Sequence, residues 1–182
     1  MPDRRSNGDV IAGEVVANRV FAAPRDLVFE VWTKAEHFTR WFAPLGAEVV
    51  DCEIDPRPGG VLRFGHRLQD RTTFYLKGTF REVVPNERLA FTLGFVDEQG
   101  RPRSHPMFPD WPLDTLIETT VTLEDAGDGT RVRVAQGVTP PGAASHPAVK
   151  RNGELAREGW MQVLDRLDGH LSLARTRDAR PT

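Results

Sequence analysis

Residues 148–173, AVKRNGELAREGWMQVLDRLDGHLSL, carry Ala156, Trp160, Val163, Leu164, Leu167 and Leu171 at the spacing of a helix buried along one stripe. Arg157, Glu158, Asp165, Arg166 and Asp168 take the opposite face. Upstream, six segments read as strands joined in series: residues 47–54, 61–67, 72–84, 88–95, 116–123 and 131–138. Mostly short connections make that run an antiparallel meander. One sheet with a single long helix to cover its apolar face must curve around it. The expected fold is therefore α+β, a curved antiparallel sheet of about seven strands wrapped around a long C-terminal helix. A cavity between sheet and helix is the natural by-product.

Further out, residues 14–21 (EVVANRVF) supply the first strand. Pro24 suits a helix start, and Leu27, Val28, Val31 and Trp32 then recur at helical spacing. A second short helix starts near Thr33 or Lys34, carries Phe38, Trp41 and Phe42, and stops at Pro44. Gly78, inside the longest strand, marks a bulge or bend, and residues 125–129 turn a hairpin. Residues 97–114 are longer than the connection requires and hold Pro102, Pro106, Pro109 and Pro112 with Met107, Phe108 and Trp111. Two readings stand: a lid or partner-facing flap over the cavity mouth, or a surface loop packed on the sheet edge. The chain thus divides into a flexible tail (1–12), one domain (13–173) with the 97–114 loop inserted, and a second flexible tail (174–182).

The 182 residues carry 24 Lys and Arg against 26 Asp and Glu, a net charge of −2 that gives no electrostatic footprint for nucleic acid. No apolar run approaches the roughly 18 residues of a membrane span. The start, MPDRRS, lacks the apolar core of a secretory signal, so a soluble cytoplasmic protein is expected. One cysteine, Cys52, excludes an intrachain disulfide and a multi-cysteine zinc site, and reads as inert packing. Ten Phe and four Trp stand against one Tyr. So many rings without a hydroxyl suit a generous core or an apolar pocket.

Four segments carry a family resemblance. They are residues 23–29 (APRDLVF) followed by Val31, Trp32 and Thr33; residues 40–44 (RWFAP); residues 55–60 (DPRPGG); and Glu158-Gly159-Trp160 with Leu164 and Leu167. Residues 127–131 (GDGTR) add a Gly-Thr-Arg turn. Together, over about residues 14–172, they resemble the START-like (SRPBCC) superfamily, which includes polyketide cyclases and birch-pollen-allergen proteins. Within it the chain is most similar to the branch of homologues of the activator of heat-shock protein 90 ATPase. The resemblance implies the helix-grip fold, with two short helices after the first strand. It leaves function open, because this fold hosts binders, enzymes and co-chaperone domains.

On that frame Trp32, Phe38, Trp41 and Trp160 lie on converging elements. With Phe64, Phe80, Phe91, Trp111 and Leu164 they form the expected lining for a flat or lipid-like ligand, each ring being equally readable as core. His66 shares a strand face with Leu62 and Phe64, and Gln136 alternates with Val132, Val134 and Val138. Both aim polar groups inward, as ligand contacts or as satisfied core groups. Asp55 and Arg57 read as turn structure. No metal or cofactor is expected, since the histidines and carboxylates show no ligand spacing. Ser6, Ser104, Ser145 and Ser172 lie in tails, loops or a last helical turn, so no nucleophile is visible.

Three functions remain. The leading one is a module that binds a hydrophobic small molecule between sheet and C-terminal helix. A co-chaperone-like domain acting on heat-shock protein 90, with a place in the stress response, is implied by the branch. The third is an aromatase- or cyclase-like enzyme, with His66 as acid or base and Gln136 positioning the substrate. Lacking a recognisable catalytic constellation, the chain reads more as binder than as enzyme. Expected partners are the small molecule, a chaperone or other protein, and a second copy in a homodimer, without nucleic acid or a membrane span.

Overall fold

The computed structural model describes residues 7–11 and 14–178. In chain order its elements are β1 (Asn7–Ile11), β2 (Glu14–Phe21), α1 (Arg25–Thr33), α2 (Ala35–Trp41), β3 (Ala47–Ile54), β4 (Val61–Leu68), β5 (Thr73–Val84), β6 (Arg88–Val96), β7 (Leu116–Ala126) and β8 (Gly129–Thr139). A 3-10 turn (Pro141–Ser145) then leads into α3 (Pro147–Asp178). All eight strands form one curled antiparallel sheet in the order β1-β2-β8-β7-β6-β5-β4-β3. The α+β helix-grip fold is therefore as the sequence implies: meander β3 to β8, two short helices, and a long helix against the concave face.

Alternation builds the core. Leu62 and Phe64 of β4, Leu89, Phe91, Leu93 and Phe95 of β6, Val121 and Leu123 of β7, and Val132 and Val134 of β8 are all buried. Against them α3 lays Trp160, Val163, Leu164, Leu167 and Leu171, the stripe that its spacing predicts. Arg19 of β2 pins the helix from the sheet side through ion pairs with Asp165 and Asp168.

Three expectations are corrected. Asn7–Ile11 falls within the stretch read as a tail, yet it is an eighth strand, paired in register from Asn7↔Asn18 to Ile11↔Glu14. Its five residues, NGDVI, carry turn formers and almost no apolar alternation. Pairing with β2, not propensity, makes it a strand. At the other end α3 runs to Asp178, past the expected limit at Leu173. The rest of the expected tails, residues 1–6, 12 and 179–182, lies outside the described residues. The bulge in β5 falls between Phe80 and Glu82, not at Gly78. Gly78 has another reason: a Cβ there would lie 1.6 Å from the Thr92 carbonyl oxygen, so only glycine lets β6 approach.

The signature turn at residues 55–60 is structural. Arg57 Nε donates to the Asp55 carboxylate at 2.8 Å, Gly59 has φ +80°, and a Cβ on Gly60 would lie 2.1 Å from the Asp55 carbonyl oxygen. Among the described residues no helix is long and apolar enough to cross a membrane.

Candidate functional site

Two short helices and α3 deliver an aromatic cluster to one end of the concave face. Trp32 stacks on Trp160, with centroids 6.2 Å apart, and meets Trp41 edge-on at 4.6 Å. Phe38 stacks on Phe42 at 4.2 Å and meets Phe64 at 5.5 Å. The local sequence fixes this arrangement, because Trp41 Nε1 donates to the Val31 carbonyl oxygen at 3.0 Å and ties α2 to α1. Thr130 Oγ1, donating to the Ala23 oxygen at 2.7 Å, anchors the chain ahead of α1. Trp32 Nε1 is buried without a hydrogen-bond partner.

His66 belongs to the same group, 5.1 Å from Phe64 and 5.3 Å from Phe74. Its Nε2 lies 2.9 Å from the Phe42 carbonyl oxygen. Its pKa is lowered to about 4, chiefly by burial and in part by the Arg166 guanidinium, against the opposing pull of that carbonyl. The ring is thus neutral near pH 7 and donates Nε2–H to Phe42. As a proton acceptor at neutral pH it is weak.

The other predicted residues separate into two places. Phe80 and Phe91 pair edge-on at 5.9 Å across β5 and β6, and Leu164 is fully buried on the inner face of α3. Trp111 is only 2% exposed and packs on Phe95 and His105 at 5.6 Å each. Gln136 lines a cleft of about 20 Å³ where β2, β7 and β8 meet the first turns of α3, together with Val15, Ile117, Val138, Val149, Asn152 and Gly153. Its Nε2 reaches Thr119 Oγ1 at 3.4 Å.

The 97–114 loop lies across this end of α3. Asp110 pairs with Arg151 at 3.1 Å, and the same guanidinium sits 5.1 Å from the Phe108 ring centroid. His105 accepts the Met107 N–H at 3.0 Å, and its ring lies near the Asn152 side chain. Burial brings its pKa down to about 4 despite Asn152. Beside the loop, an open cleft of about 320 Å³ is lined by Pro112, Asp114, Thr115, Pro140, Gly142, Ala143, Ser145 and His146. Thr115 Oγ1 is buried without a partner.

Several of these residues carry no sequence signal. Arg151 finds its partner Asp110 41 positions away, and only the docked loop reveals it. Arg166, on the polar face of α3, donates to the carbonyl oxygens of Ala43 (2.8 Å) and Ala47 (3.1 Å), and so holds the chain after α2. Burial pushes the Cys52 thiol up to about 11, which keeps it protonated and unreactive.

An antiparallel sheet curled around one long helix, with two short helices closing one end, defines the START-like class. The family model described as "Activator of Hsp90 ATPase homolog 1-like protein" matches residues 22–172, and the chain belongs to that family. Among solved structures it is similar to a protein from Arthrobacter aurescens (21% identity, 92% of this chain and 91% of that one, TM-score 0.74). A protein from Nitrosomonas europaea is also similar (24%, 92% and 99%, TM-score 0.72). So is an AHSA1 protein from Silicibacter pomeroyi (17%, 88% and 99%, TM-score 0.69). At these identities the likeness is one of fold. No curated protein matches the chain.

Proposed function

We propose that the chain binds a hydrophobic small molecule between its sheet and α3, admitted where the 97–114 loop meets the first turns of the helix. One observation carries this reading. At that junction an apolar wall (Val15, Ile117, Val138, Val149) holds two amide side chains, Gln136 and Asn152, around a cleft. Apolar lining with a few orienting polar groups is what a small-molecule site requires. In the form described the cleft is nearly closed, so binding needs the latch of Asp110, Phe108 and His105 on Arg151 and Asn152 to open. The aromatic cluster of Trp32, Phe38, Trp41, Phe64, His66 and Trp160 then forms the far wall, with Phe80, Phe91, Trp111 and Leu164 along the sides. The site is taken to work in the cytoplasm and to need no cofactor.

Native mass spectrometry of freshly purified protein tests this: a retained apolar molecule is expected, and Val138→Trp, which enlarges a side chain lining the cleft, should reduce its occupancy several-fold. Protein that carries nothing and takes up no anilinonaphthalene sulfonate overturns the reading.

A second reading has its own observation. Met107 and Leu113, on the same loop, are 64% and 58% exposed, as a protein-docking patch would be. A chaperone partner, as the family description suggests, predicts stimulation of heat-shock protein 90 ATPase that Met107→Asp abolishes; no stimulation over a wide concentration range removes it. The cyclase-like alternative has the least support, since His66 is a weak base and is already engaged.

A further inference from the structure

We propose that His37 and His170 form a surface site for a divalent transition-metal ion such as Zn²⁺, Ni²⁺ or Cu²⁺. The two residues lie 133 positions apart, one on α2 and one on α3, and the fold brings His37 Nδ1 within 2.9 Å of His170 Nε2. Their rings are 5.1 Å apart at 64°. Two imidazole nitrogens sharing a zinc ion at about 2.0–2.1 Å and a tetrahedral angle stand roughly 3.3 Å from each other. The pair is therefore within a few tenths of an ångström of chelating distance.

A carboxylate orients the first ligand. Glu30 Oε1 lies 3.8 Å from His37 Nε2, on the far side of the ring from His170. Its charge favours the proton on Nε2 and leaves the Nδ1 lone pair facing His170, the arrangement that outer carboxylates impose on metal-bound histidines. Lys34, which pairs with Glu30 at 2.6 Å, balances that carboxylate. An ion can enter only as the proton in the hydrogen bond between the two rings leaves their shared gap.

Both side chains are half-buried and so reachable by water. Among the described residues no third His, Cys, Asp or Glu completes a cage, so water fills the remaining positions and the site is open and exchangeable. Imidazole ligands select borderline ions over Mg²⁺ or Ca²⁺. An ion here would fasten α2 to the C-terminal half of α3 and stiffen the helix that carries Phe38 and Trp41.

The test uses the full chain stripped with EDTA. Zn²⁺ at about 100 times its Kd should raise the Tm by about 5 °C, and Mg²⁺ should not. His37→Gln and His170→Gln should each abolish the shift, read against that variant's own metal-free Tm, while His146→Gln keeps it. Electron paramagnetic resonance of the Cu²⁺ form should show two coordinated nitrogens in the parent and one in either variant. A shift of equal size in His37→Gln or His170→Gln, an unchanged nitrogen count, or no saturable binding to the parent overturns the proposal.

Discussion

His66 and His105 are both neutral in the folded chain because burial lowers each from 6.5 to about 4. Between those values the unfolded chain takes up protons that the folded chain refuses, so stability is full above about pH 6.5 and falls as pH drops towards 4. Melting curves from pH 7 to 4.5 should show the decline, and His66→Gln and His105→Gln should each flatten it. Arg166 acts differently, through charge-assisted hydrogen bonds to carbonyl oxygens. Arg166→Met should cost about 2 kcal/mol in urea unfolding, with Lys restoring only part. His66 was legible as an inward histidine because strand alternation reports facing. Arg166 was not, because its partners are backbone oxygens more than a hundred residues away, and periodicity only placed it on the polar face. The same distance hides His37 from His170.

At the level of elements, glycines separate tight packing from open space. Gly78 in β5 faces the Thr92 oxygen, so Gly78→Ala should cost at least about 3 kcal/mol or prevent folding. Gly153 and Gly159 in α3 meet no atom within 4 Å of an added Cβ. Replacing either with alanine should stabilise the chain by roughly 0.5–1 kcal/mol, measured by chemical denaturation. Seven strands and the long helix could be read from the sequence because their apolar periods are regular. β1 could not, since an edge strand of polar residues exists only through its neighbour. The loop at 97–114 was visible as an anomaly of length, while its docking on α3 was invisible: proline and aromatic content say that a loop is ordered, not where it lies.

For the molecule as a whole, the loop latch couples the sheet to α3. Arg151→Ala removes both the Asp110 ion pair and the cation held over Phe108. That pair is half-exposed, so the stability cost should stay within about 1 kcal/mol. Trypsin cleavage after Arg103, in the Arg103-Ser104 bond, should nonetheless quicken several-fold, followed by gel or mass spectrometry. An unchanged rate would mean that the loop is held by its other contacts, Trp111 and His105 on Phe95 among them.

The sheet order has a consequence for how the chain is made. β2 pairs on one side with β8, from Val15↔Gln136 to Phe21↔Thr130, and this junction joins the start of the domain to nearly its end. During synthesis β2, α1 and α2 therefore emerge long before the surface they rest on. A nascent chain halted at Ala126 has β3 to β7 but neither β8 nor α3, so β2 lacks its inner partner strand and Trp32 lacks Trp160. Such an arrested chain should be cut freely by protease on the ribosome, and protection should come in one late step once the final helix is out. The domain cannot be assembled from its N-terminal end forward; its folding waits for β8 and α3.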